Sequence, residues 1–178
     1  GMGGGTGTPL GRISTPADSI LDASTPAMAP VGTEAPHTPL TLPAGILNVA
    51  RREIVWRAYF RALADVGADT WLSRIRLGAA GVGGVDLTGG LVIASDLVAN
   101  TEIWVEGVVQ IRTVGVGGTF DSRIAYWNAA TGLFQRISVI AGALNTTVAR
   151  DLTATGTCST VNANQVSLRL FEAFVYEA

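Results

Sequence analysis

Ile103-Trp104-Val105-Glu106-Gly107-Val108-Val109-Gln110-Ile111-Arg112 alternates with a period of two. On an extended backbone, successive side chains point to opposite faces. Ile103, Val105, Gly107, Val109 and Ile111 therefore make one apolar face, and Trp104, Glu106, Val108, Gln110 and Arg112 a more polar one. The same period places Trp71, Ile75 and Leu77 opposite Arg74 and Arg76. Further strands fit Phe120 to Trp127, Phe134 to Ile140, Val148 to Cys158 and Val166 to Tyr176. In the run from Val148, the outward residues are Asp151, Thr153, Thr155, Thr157 and Ser159.

Ile54 to Ala62 admits two readings. As a strand it collects Ile54, Trp56, Ala58, Phe60 and Ala62 on one face, with Arg57, Tyr59 and Arg61 on the other. Its Ala, Arg and Leu content also suits a helix over 46–66. The clean separation of charge favours strand, and the helix stays open as the alternative. Turn clusters separate the runs: Gly81-Val82-Gly83-Gly84, Thr88-Gly89-Gly90, Gly115-Val116-Gly117-Gly118, 128–132 and Asn162-Ala163-Asn164. Seven or eight strands so spaced indicate an all-β fold, a two-sheet antiparallel β-sandwich of jelly-roll (TNF-like) topology.

The N-terminal part is different. All seven prolines lie in the first 43 residues, and Ser14-Thr15-Pro16-Ala17 is echoed by Ser24-Thr25-Pro26-Ala27. Proline at this density removes backbone donors and disfavours helix or central strand. The chain thus divides into an extended Pro/Gly/Ser/Thr-rich arm, 1–38, and a sandwich domain, 39–178. Read alone, the arm cannot bury enough apolar surface to offset its ordering entropy. It is either a disordered tail or a segment that orders against a neighbouring subunit or a larger assembly, with Ile13, Ile20 and Leu21 as anchors.

Composition narrows the chemistry. A formal net charge of −2 gives no general electrostatic reason to bind nucleic acid or an anionic membrane. No apolar run approaches the ~18–20 residues of a membrane-spanning helix. A single cysteine, Cys158, excludes an intrachain disulfide and a cysteine-cluster zinc site, and reads as an inert buried thiol. His37, the only histidine, is expected to be a solvated loop residue. One histidine in the arm excludes an ordinary Ser–His–Asp or Cys–His centre and any poly-histidine metal site.

The carboxylates Glu102, Glu106, Asp121 and Asp151 read as polar-face or turn residues rather than a catalytic pair. Neither Gly-Val-Gly-Gly stretch continues into the Lys and Ser or Thr of a phosphate-binding loop, so both are hairpin or sheet-crossing loops. Asp86, Asp96 and Asp121 could reach calcium with loop carbonyls, but no dense acidic loop accompanies them. The expectation is a protein without catalytic residues, cofactor or metal.

The aromatics point outward. Trp56 and Phe60 belong to the core, whereas Trp104, Trp127, Tyr59 and Phe171 fall opposite the apolar faces. Exposed aromatics beside Arg are what subunit and recognition surfaces use. The expected contact residues are Trp104, Val108, Tyr126, Trp127 and Phe171; the alternative is that the arm or a loop covers that face.

Thr41-Leu42-Pro43-Ala44-Gly45-Ile46-Leu47 leads into the run at Ile54, and a Trp/Leu-rich strand ends at Leu77-Gly78. Then come the long strand Ile103–Arg112, a Gly-rich loop, Asp151-Leu152-Thr153 and Val166-Ser167-Leu168-Arg169-Leu170. This order resembles the jelly-roll domains of tailed-phage head fibres, capsid decoration proteins and tail-fibre tips, over Leu40 to Ala178. It departs from them in the Arg-rich stretch Arg51 to Arg61, whose usual counterpart is richer in Thr and Gly. The resemblance implies a homotrimer located in a virion, with the arm docked onto other virion proteins and a host surface glycan as a further partner. The alternative is a monomeric carbohydrate-binding module in which Trp104, Tyr126 and Trp127 stack on sugar rings.

Overall fold

The structure, a computed structural model, describes residues 9–14, 19–64, 70–89, 91–94, 102–128, 133–161 and 164–177. Four short strands come first: β1 (Pro9–Ser14), β2 (Ser19–Asp22), β3 (Ala35–Pro36) and β4 (Leu40–Leu42). A single helical turn, α1 (Ala44–Leu47), leads into β5 (Glu53–Ala64), β6 (Trp71–Gly78), β7 (Val85–Asp86) and β8 (Leu91–Ala94). The long strands β9 (Glu102–Thr113), β10 (Thr119–Asn128), β11 (Leu133–Ala143), β12 (Arg150–Cys158) and β13 (Gln165–Tyr176) complete the chain.

Two antiparallel sheets result. The larger has the order β1-β13-β5-β9-β10-β11, with β2 also on β13; the smaller has β3-β12-β6-β7, with β4 on β12 and β8 on β6. The chain crosses from β5 in the larger sheet to β6 in the smaller, and later returns from β12 to β13. The pairs β5–β13 and β6–β12 are thereby nested on opposite layers, which is the winding of a jelly roll. The all-β sandwich expected from the alternation is the fold observed. Both Gly-Val-Gly-Gly stretches are hairpin loops, one between β6 and β7 and one between β9 and β10.

Within 46–66, Glu53–Ala64 is strand, and 65–66 lie outside the described residues. Ile54, Trp56, Ala58, Phe60 and Ala62 are all buried, and β5 is paired on both sides, by β13 and β9. The helical option survives only as the turn at Ala44–Leu47. A central position satisfies both edges of the β5 backbone, which outweighs the helix preference of its Ala and Arg residues.

Three large buried rings lie over glycines of neighbouring strands. Trp56 is directly opposite Gly107, and a Cβ at Gly107 would fall 2.2 Å from the indole Cζ2. Phe120 is opposite Gly142, where the corresponding distance is 2.6 Å; a Cβ at Gly156 would meet the Trp71 indole at 2.5 Å. These glycines provide the volume that the rings occupy.

Three sequence expectations are corrected here. Phe171 is fully buried rather than outward, because Arg169 is an extra residue between the register pairs Leu168↔Phe60 and Leu170↔Tyr59. That bulge reverses the alternation, so Val166 and Leu168 point inward before it and Phe171, Ala173 and Val175 after it. Thr153 and Thr155 are buried too: Thr155 donates to the Glu34 carboxylate, and Thr153 lies opposite Arg76.

His37 is the third correction, being only 2% exposed. Its backbone amide donates to the Ala154 carbonyl oxygen at 2.8 Å, and its ring lies 6.0 Å from that of Phe60. The described part of the arm lies on its own sandwich. β1 and β2 extend the larger sheet from β13, β3 pairs with β12, and Ala23, Met28 and Ala35 are buried.

Candidate functional site

The outer face of the larger sheet carries a row of apolar residues placed by strand register. Leu170 on β13 is opposite Tyr59 on β5, Tyr59 opposite Trp104 on β9, and Trp104 opposite Trp127 on β10. Trp104 and Trp127 are 44% and 41% exposed, which is unusual for side chains of this size near the middle of a sheet. The Tyr59 and Trp104 rings stack with centroids 4.2 Å apart and planes 20° from parallel. At that separation the rings overlap, and each gives one face to the other. Burial, reinforced by a hydrogen bond to Glu102, pushes the Tyr59 phenol above its ordinary value.

Charges of both signs border the row. Arg57 pairs with Glu106 at 3.3 Å and approaches Glu172 at 3.9 Å, and its guanidinium lies 5.8 Å from the Phe174 ring centroid. Farther along the face, Arg112 pairs with Asp121 at 3.0 Å. Val108 shares this face and is half-buried.

Of the residues expected to form a contact surface, Trp104, Val108 and Trp127 share one face. Tyr126 does not, since it alternates with Trp127 and packs from the inner side against the core. Phe171 is core. Alternation places Tyr59 on the outer face, but its stacking on Trp104 depends on pairing between strands distant in the chain. Among the arm residues, Ile13 and Leu21 pack partly buried against the core, and Ile20 is 55% exposed.

The polar candidates are held in structural contacts. Asp151 accepts from the Thr41 hydroxyl at 2.8 Å. Asp86 accepts from the Thr88 amide at 2.9 Å and the Gly89 amide at 3.2 Å, and pairs with Arg74 at 3.2 Å. Asp96 lies outside the described residues. No cluster of three metal-ligating side chains occurs among the described residues. Cys158 is buried, with the Asn164 amide 3.6 Å from its sulfur.

A second polar cluster lies on the outer side of the smaller sheet. Arg76 donates to both Glu34 carboxylate oxygens at 2.7 Å and to the Gly84 carbonyl oxygen at 3.0 Å. Burial alone would raise the Glu34 carboxyl, but hydrogen bonds from Arg76 and Thr155 outweigh it and hold the group below its ordinary value.

No protein-family model and no curated protein sequence matches the chain. Several solved structures align along most of the chain. The lectin UEA-II complexed with galactose aligns over 94% of this chain and 94% of its own, at 7% identity and a TM-score of 0.45. An alginate lyase from Alteromonas sp. 272 aligns over 92% of this chain and 90% of its own, at 10% identity and 0.37. The infectious bursal disease virus Gt strain structure aligns over 97% of this chain and 38% of its own, at 10% identity and 0.34. At these identities and scores the likeness carries no functional argument. Among the described residues, no helix is long and apolar enough to cross a membrane.

Proposed function

We propose that the chain is a non-enzymatic structural and adhesion module that assembles as a homotrimer in a virion. In this reading the outer face of the larger sheet forms the subunit contact. The observation that carries it is the exposed row Tyr59–Trp104–Trp127, bordered by paired charges. Burying two half-exposed indoles against another copy removes a large apolar area from water, and adjacent ion pairs of both signs set register rather than repel. Trimer and virion follow from the resemblance to tailed-phage jelly-roll domains. The same reading takes 1–38 as the arm that engages other virion proteins, with the exposed Ile20 as its anchor, and Ile13 and Leu21 only once they leave their own sandwich.

The sugar-binding alternative keeps Trp104 and Trp127, 44% and 41% exposed, and loses Tyr126, which faces the core. Light scattering at micromolar concentration tests the proposal. The expected result is a trimer that dissociates in the Trp104→Ala/Trp127→Ala variant. A wild-type monomer overturns it; glycan binding lost in Trp127→Ala with no change of mass would favour the carbohydrate-binding module instead.

A further inference from the structure

Glu34 and His37 lie three residues apart where the arm joins the sandwich, and each fastens a different layer. Glu34 grips the smaller sheet through Arg76 on β6 and Thr155 on β12. His37 holds β2 of the larger sheet: its Nδ1 is 3.1 Å from the Ser19 carbonyl oxygen and 3.2 Å from Ser19 Oγ. The Thr38 amide donates to the same Oγ at 3.1 Å.

A carbonyl oxygen only accepts, so Nδ1 carries the proton and Nε2 is bare. That Nε2 is buried with no hydrogen-bond partner. The groups in contact with the ring are Phe60 from β5 and Ser19 from β2, neither of which ionises; the Ala154 carbonyl of β12 holds the His37 backbone amide. Around Glu34 the charged groups are Arg74 and Arg76 from β6, with Asp86 from β7 behind them.

We infer that Glu34 and His37 form an acid-sensitive clasp, whose protonation releases β2 and the segment through His37 while the central strands stay folded. A proton on Nε2 would place a charged donor in a buried site with no acceptor, so the ring must move to water and abandon Ser19. A proton on Glu34 removes the charge that Arg76 binds and leaves Arg74 and Arg76 side by side without it. Burial pulls His37 down to about 4, with the contact to Ser19 acting the other way, which sets the range of release. Freed, the arm becomes available to a neighbouring molecule, whatever surface joins the sandwiches.

Hydrogen exchange of the full chain at about pH 7 and about pH 4, corrected for intrinsic rates, tests the clasp. A histidine at 6.5 when free and about 4 when docked shifts the opening equilibrium about a hundredfold over that range. Exchange at Ser19–Asp22 should therefore rise by about that factor, while Ile103–Ile111, which opens only on global unfolding, stays the better protected segment at both pH values. The comparison uses the wild-type chain and needs no variant to fold. His37→Phe should remove the pH dependence, and Glu34→Gln should weaken protection of Ala35–His37 already at neutral pH. Unchanged protection of Ser19–Asp22, or protection equal to that of Ile103–Ile111 at both pH values, would refute the clasp.

Discussion

Gly107 interrupts the best amphipathic strand of the chain with a residue that contributes nothing to an apolar face. Its role is explained by Trp56, whose ring occupies the space a Cβ would need at 2.2 Å. Gly107→Ala forces either the indole or the β5–β9 pairing to shift. It is expected to cost about 2–3 kcal/mol in chemical denaturation, the upper part of the about 1–3 kcal/mol usual for overpacking a close-packed site. A glycine in a strand announces a close approach, but only the register names what approaches. In the same way Trp104 and Trp127 were legible as outward residues from alternation, while the stacking of Tyr59 on Trp104 was not.

The long strands were read from alternation to within a few residues, because an antiparallel sheet with one buried face imposes period two on its side chains. β13 shows where that reading fails. Its apolar residues keep period two on either side of Arg169, but the extra residue changes which set faces the core. Deleting Arg169 should place one half of the strand in the wrong phase and abolish the cooperative thermal transition followed by circular dichroism. Arg169→Ala, which keeps the residue count, should cost less than about 1 kcal/mol. The very short strands β3, β4 and β7 carry no period of their own and exist because β12 and β6 offer them partners.

For the molecule as a whole, acid should be destabilising with a definite sign. The His37 pKa falls from 6.5 to about 4 on folding, so the unfolded chain binds more protons between those values. Stability is fully present above 6.5, declines as pH falls toward about 4, and receives no further change from this group below that. The loss should reach about 3 kcal/mol, read as a lower urea midpoint at about pH 4 than at pH 7. Glu34, held below its ordinary value, adds a decline of the same sign at the acid end. His37→Phe should flatten the upper part of this dependence and leave the lower part.

The sequence by itself determined that the chain is an antiparallel sandwich with a distinct proline-rich start, and that its single histidine provides no poly-histidine metal site. These follow from side-chain period and residue inventory, which are local properties. Tertiary structure decided the rest. Pairing of β5, β9 and β10 assembled the Tyr59–Trp104–Trp127 row, the bulge at Arg169 sent Phe171 inward, and packing on Ser19 and Phe60 buried His37. Each is set by the register between segments far apart in the chain, and register is chosen by the packing of both faces at once.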